Sequence, residues 1–251
     1  MHPFLEFDGF LAFAHRGGAE EAPENTMAAF QAAVNLGYRY LETDAYTTSD
    51  GVLLSFHDTV LDRVTDRQGE LAALPFAEVK QARVAGVEPV PLMAEVLAAW
   101  PDVRINIDPK VDSAVEPLIA LLKDMDVLDR VCIGSFSTAR IKAFREAFGD
   151  RICTSMGPGE TVRLRAAAFG LPVGRLQANC AQIPIERHGL TLVDPRMIRE
   201  ANRRGIQVHV WTIDEREEME RLIDLGVHGL MTDRPSLLKQ VLVERGIWRK
   251  S

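Results

Sequence analysis

Short apolar runs alternate with longer stretches of helical period along nearly the whole 251-residue chain, and this alternation limits the fold more than any other feature. The runs fall near 10–15, 39–44, 103–108, 131–136, 151–156, 175–179, 207–212 and 229–232. Repeated strand–helix units build a parallel sheet covered by helices. Two smaller domains would fit the length, but eight units match one closed α/β barrel, which takes ~250 residues, so a single domain over 1–251 is the simpler expectation. Several helix ends are readable. Asn25 or Thr26 can cap a helix carrying Met27, Phe30 and Val34, with Gly37 as its stop; Asp214 precedes the acidic turn Glu215-Arg216-Glu217-Glu218, and Gly226 closes that segment.

One region departs from the alternation. Asp50-Gly51 lies between two extended stretches, the signal of a β-hairpin after the second strand. A two-residue turn there places Ser49 opposite Val52 and, counting back, Asp44 opposite His57, which returns His57 to the level of the second strand's end. From 59 to about 101 the chain carries Pro75, Pro89 and Pro91 and only short helical patches. This reads as an insertion over one side of the barrel mouth.

Composition narrows the partners. With 47% hydrophobic residues the chain can bury a large core, and its net charge of -7 disfavours nucleic acid, which needs an excess of cations. A small phosphate ester needs only two or three local cations. No basic leader with an apolar core and no run of eighteen apolar residues occurs, so a soluble cytoplasmic protein without membrane insertion is expected. Cys132, Cys153 and Cys180 are odd in number, widely spaced and set in apolar runs; they read as reduced core thiols, neither a disulfide frame nor a zinc site.

Chemistry-bearing residues gather where apolar runs end: His15-Arg16-Gly17-Gly18, Glu24, Glu42-Thr43-Asp44, His57-Asp58 and Asp108-Pro109-Lys110. Glu42 and Asp44 are two apart on a strand and leave the same face, so two carboxylates repel unless a cation sits between them. Asn106, Asp108 and Lys110 alternate with Ile105, Ile107 and Pro109, which brings Asp108 beside the pair as a third oxygen donor. Three carboxylates without cysteine suit a hard divalent ion, Mg2+ or Ca2+, better than zinc. His15 and His57 are candidate proton carriers, one to deprotonate an attacking hydroxyl and the other to protonate the leaving alkoxide; His2, His188, His209 and His228 lack such neighbours. Arg16 and Lys110 match nonbridging phosphate oxygens. Glu24 either orients one of these groups or belongs to the helix cap. Trp211, like Phe136 and Met156, ends a strand where it either walls the pocket or packs, and Asp233 reads as a structural cap for the final turn.

In order, the motifs HRGG, PENT, LETD, a DG hairpin, HD, an acidic-x-Lys, VWT and TDRP cover nearly the whole chain. This pattern resembles the glycerophosphodiester phosphodiesterase family. The resemblance implies a TIM (β/α)8 barrel with a small insertion after the HD motif. It also implies divalent-metal hydrolysis of glycerophosphodiesters to glycerol 3-phosphate and an alcohol. By position, His15 and His57 look like the acid/base pair, Glu42 and Asp44 like metal ligands, and Arg16 and Lys110 like phosphate contacts. The family's third ligand is frequently Glu, and Asp108 stands at that place. An alternative on the same scaffold is lysophospholipase D-type cleavage, for which an apolar rim on the insertion (Leu71, Leu74, Phe76, Leu92) is expected, although these residues read better as the insertion's own core. A noncatalytic phosphate-binding barrel should lack a histidine or a carboxylate, and none is missing.

Overall fold

The computed structural model describes residues 1–187 and 189–249, so His188 lies outside the described residues. Its centre is a ring of parallel strands: β1 Leu11–Ala14, β2 Tyr40–Thr47, β3 Arg104–Pro109, β4 Val131–Ile133, β5 Cys153–Thr154, β6 Cys180–Ile183, β7 Gln207–Val210 and β8 Gly229–Thr232. They pair in the order β5-β4-β3-β2-β1-β8-β7-β6, and a parallel bridge from Ser155 to Cys180 joins the two ends. Helices lie between consecutive strands, as α1 Met27–Leu36, α2 Met93–Ala99, α3 Val115–Met125, α4 Thr138–Phe148, α5 Pro158–Ala167, α6 Pro195–Arg203, α7 Arg216–Leu225 and, after β8, α8 Pro235–Glu244. The expected TIM barrel is therefore the fold.

Strands covered on both faces must be apolar on both, and their residues divide into two cores. Leu41, Ile105, Val131 and Val208 face outward against helix residues such as Phe30, Val96, Leu118 and Leu238. Phe13, Tyr40, Cys132, Cys153, Cys180 and Met231 face inward. A short turn at Pro3–Leu5 plugs the lower end, where Tyr40 Oη donates to the Phe4 carbonyl at 2.9 Å.

Three expectations are corrected. The sixth strand is Cys180–Ile183, not 175–179: Cys180, Ala181 and Ile183 are buried and pair with β7, whereas Arg175 and Gln177 are exposed. The hairpin is one residue out of the expected register, with Ala45 opposite Ser55 and the Phe56 amide donating to the Asp44 carbonyl at 3.1 Å. Its turn holds three residues, because Thr48 closes it on Val52 and Gly51 takes the left-handed conformation at φ 81. Helix α2, inside the stretch read as insertion, belongs to the barrel, since Met93, Val96 and Leu97 are fully buried in the main core. The rest of that stretch has its own small core of Leu61, Leu71, Val79, Ala82, Val84 and Val90, closed by Tyr46, Leu54 and Phe56 of the hairpin. Leu74, Phe76 and Leu92 pack against it, as expected of the insertion's own core.

The turn after β1 is held tightly. Arg16 adopts φ 51 and Gly17 φ 84, and a Cβ on Gly17 would lie 2.7 Å from the Ala29 Cβ on α1. Both the dihedral and the packing reject a side chain here. Gly17→Ala is expected to cost about 1–3 kcal/mol and to lower activity by displacing His15 and Arg16. Urea unfolding checks it; an unchanged midpoint would contradict the packing argument.

Candidate active site

The C-terminal ends of the strands open into a cavity of about 470 Å³. In barrels of this kind the loops at that end carry the chemistry. His15 follows β1, Glu42 and Asp44 lie on β2, Asn106 and Asp108 on β3, and Lys110 one residue beyond it. The β2–β3 ladder sets Glu42 beside Asn106 and Asp44 beside Asp108, so the three carboxylates read from the sequence converge. His57 comes from the chain after the hairpin and also lines the cavity.

Each histidine is oriented by an aspartate. His15 Nδ1 lies 2.7 Å from Asp233 Oδ1, and because a carboxylate only accepts, Nδ1 carries the proton. The other nitrogen, Nε2, lies 3.7 Å from Glu42 Oε2. His57 Nδ1 lies 2.6 Å from Asp58 Oδ1, which leaves its Nε2 free. Arg63 ties this arm to the barrel, its guanidinium reaching Asp58 and both oxygens of Glu24, the latter at 2.8 Å each.

Around Asp44 the charges interlock. Lys110 Nζ sits 2.9 Å from Asp44 Oδ1 and 2.7 Å from Asp108 Oδ2. Arg16 Nε is 3.2 Å from Asp44 Oδ2, while Arg16 Nη1 donates to Glu24 at 3.0 Å and the Arg16 amide to Glu42 Oε2 at 3.1 Å. Asn25, in the left-handed region at φ 56, donates from Nδ2 to Asp44 Oδ2 at 2.9 Å.

Burial dominates the titration of these groups, and the neighbours decide its outcome. Burial and the adjacent Asp44 charge push Glu42 up to about 7, against the opposing pull of His15, Lys110 and Arg16. Asp44 is equally buried, yet Lys110, Arg16 and His57 hold it below the ordinary carboxylate range. Burial also raises Asp108, with Lys110 opposing. For His15 burial works against charge, but Glu42 and Asp233 outweigh it and its pKa rises.

Sequence reasoning found the charged core of this mouth and missed what orients it. Asp233, read as a cap, leaves the first turn of α8 to Glu21, which accepts from Ser236 N at 2.8 Å, and instead holds His15 from 218 residues away. Thr26 is the cap of α1, accepting from Ala29 N at 3.2 Å, which frees Asn25 for Asp44. Glu24 orients Arg16 and takes no part in the cap. For Asp58, adjacency to His57 is the one signal in the sequence.

The opposite wall is apolar. Trp211 and Phe136 meet edge to face at 5.6 Å, and Met156, Val162, Ile183, Leu190 and Leu192 continue the surface. Phe136, Val162 and Leu190 are 51%, 68% and 68% exposed, so the rim faces solvent. It lies on the segments after β4, β5 and β6, with Val162 on α5, not on the insertion.

A barrel with imidazoles, carboxylates and phosphate-matching cations at its C-terminal mouth is a hydrolase scaffold of the phosphodiesterase class. A model described as the "Glycerophosphoryl diester phosphodiesterase family" matches residues 15–237, and the chain belongs to that family. "Probable glycerophosphodiester phosphodiesterase 2" of Mycobacterium tuberculosis is 37% identical, covering 98% of this chain and 95% of that protein. "Lysophospholipase D GDPD1" of Rattus norvegicus is 30% identical over 91% of this chain and 85% of its own length. An Oleispira antarctica phosphodiesterase, solved in complex with its product sn-glycerol-3-phosphate, shares the fold with a TM-score of 0.77 at 21% identity, over 94% of this chain and 97% of that one. Among the described residues no helix is long and apolar enough to cross a membrane.

Proposed function

We propose that the chain hydrolyses glycerophosphodiesters to glycerol 3-phosphate and an alcohol, with His15 and His57 exchanging the protons. The observation that carries this reading is the convergence of both histidines, each aligned by its own aspartate, on a mouth lined by Glu42 and Asp108 with Asp44 buried beside Asp108. One imidazole takes the proton of the attacking hydroxyl and the other protonates the departing alkoxide, a division of labour that neutral pH permits. Arg16 and Lys110, held against Asp44 in the metal-free protein, would turn to nonbridging phosphate oxygens. Trp211 would wall the substrate's glycerol or alcohol side.

The donor set fits a hard divalent cation. Three carboxylates and no thiol meet here, and the buried Asn106 Oδ1 beside them has no hydrogen-bond partner. Glu42, Asp44 and Asp108 would hold Mg2+ or Ca2+. Bound there, such an ion neutralises charge building on the phosphoryl oxygens. The test is an assay of chelator-stripped protein on a panel of glycerophosphodiesters with Mg2+, Ca2+ or Mn2+ restored in turn; activity indifferent to all three would refute the cation's role.

A pH dependence follows. Glu42 binds a proton up to about 7 in the folded protein, so protons compete with the cation below that value. Affinity for Mg2+ is expected to tighten as pH rises from about 5.5 to 7.5, read by calorimetric titration. The metal-free protein behaves in the opposite sense. The folded-state pKa of Glu42 lies above its ordinary 4.5, so the folded state binds the extra proton, and stability falls as pH rises from 4.5 to about 7. A flat affinity profile would count against Glu42 as a ligand.

The apolar rim supports a second reading, cleavage of lysophospholipids in the phospholipase D sense, which is the activity named for the Rattus norvegicus relative. Val162→Asp should then depress hydrolysis of a long-chain lysophospholipid by about 10-fold or more while sparing glycerophosphocholine, since an acyl chain loses apolar cover and a short diester does not. Equal effects on both substrates would remove this reading.

A further inference from the structure

Beneath the cavity floor, three consecutive strands each direct a thiol toward the barrel axis, Cys132 on β4, Cys153 on β5 and Cys180 on β6, and the next strand, β7, carries the buried His209. The ladder pairs Cys132 with Cys153, and the bridge from Ser155 to Cys180 brings in the third strand. Thiols separated by tens of residues in sequence thereby meet. All three Sγ atoms lie within 4.8 Å of one another, and those of Cys132 and Cys180 are 3.9 Å apart. A tetrahedral zinc–thiolate centre with Zn–S bonds of ~2.3 Å needs sulfur separations of about 3.8 Å. The thiols are free and fully buried.

His209 supplies the independent observation. Its ring is fully buried, and Nε2 lies 3.2 Å from Gln207 Oε1, an oxygen that only accepts, so Nε2 carries the proton. Nδ1 is then a bare lone pair, and it has no hydrogen-bond partner. The Cδ2 edge faces β8, 3.2 Å from the position a Gly229 Cβ would take. That turns the Nδ1 edge toward β6, where Cys180 is the neighbouring thiol. A neutral imidazole with one nitrogen donating to a fixed acceptor and the other vacant is how proteins present histidine to a metal.

We propose that Cys132, Cys153 and Cys180 hold a Zn2+ ion inside the barrel, distinct from the carboxylate mouth, with His209 turning in from β7 as the fourth ligand. On binding, the three thiols release three protons and the ion gains three Zn–S bonds and one Zn–N bond. Gly134, Ser155 and Gln182 stand two residues further along the chain from the three cysteines and line the cavity, so the site lies one layer of side chains below its floor. A centre there pins β4 to β7 together beneath the catalytic loops.

The test uses the full chain refolded with Zn2+ and then treated with EDTA under native conditions to strip exposed hard-ligand sites. Elemental analysis is expected to find about one zinc per chain. Refolding with Co2+ should give the visible bands of a tetrahedral ion together with thiolate-to-metal charge transfer, which carboxylates cannot produce. Asp44→Asn should keep the zinc and the bands, and the double variant Cys132→Ser, Cys180→Ser should lose both. The Co2+ spectrum of the unmodified chain decides the matter even if the double variant fails to fold. Absence of retained zinc and of charge transfer overturns the site, as does zinc that disappears with Asp44→Asn, or isolation of a Cys132–Cys180 disulfide.

Discussion

Replacing His57 with alanine is expected to lower kcat on glycerophosphocholine by about 10²–10⁴-fold, with the fold intact. The side chain is 32% exposed, its one hydrogen bond is to Asp58, and it belongs to none of the apolar clusters, so truncation removes chemistry and little packing. His15→Ala should cost turnover by the same order. Its burial between Asp233 and Glu42 means that the loss also frees Asp233, which should show as a modest fall in melting temperature. The two roles separate with an activated substrate. A nitrophenyl diester has a leaving group that needs no proton, so the variant lacking the general acid should recover most of its rate on it, whereas the variant lacking the base should not. Near-normal kcat in both variants would refute the pair.

Why half of this mouth was legible and half was not follows from the range of each interaction. Glu42 and Asp44, or Asn106 and Asp108, are two apart on one strand, and period two alone puts them on one face. Barrel order then makes β2 and β3 neighbours, so Asp108 beside Asp44 needed only the strand count. Asp233 on His15 depends on β8 closing back on β1, a contact that no local pattern encodes. The cysteines are the free, buried core thiols expected, but their meeting is hidden for the same reason, since it depends on the stagger of three separate strands. The hairpin shows a subtler limit. Asp50-Gly51 correctly marked the turn, but Thr48 closes it with both backbone and hydroxyl, and the added residue shifts the pairing by one. The sixth strand was misplaced because a run of Cys, Ala, Gln and Ile looks less strand-like than its burial makes it.

Asp44→Asn is expected to abolish saturation by Mg2+ and to lower kcat/KM by about 10³-fold or more, the two losses moving together. Asp44 is the one carboxylate of the three that its surroundings keep ionised, with Lys110 and Arg16 both against it. Glu42 takes up a proton near neutrality and Asp108 is raised as well, so in the parent Asp44 is the carboxylate that most firmly offers an anionic oxygen to a divalent cation. Stability should suffer far less than activity. Lys110 keeps Asp108 and Arg16 keeps Glu24, so neither cation is stranded. The metal-free variant should therefore lose about 1.5–3 kcal/mol, the worth of hydrogen bonds to a charged group, short of the ~3–5 kcal/mol expected when a buried partner is left alone. Removing Asp44 also lifts its repulsion from Glu42, whose pKa should fall, and the metal-free stability of the variant should then decline less steeply with rising pH than that of the parent. Paired urea titrations of both proteins near pH 5 and pH 7.5 read this difference, and parallel slopes would show that Asp44 does not set the charge state of Glu42.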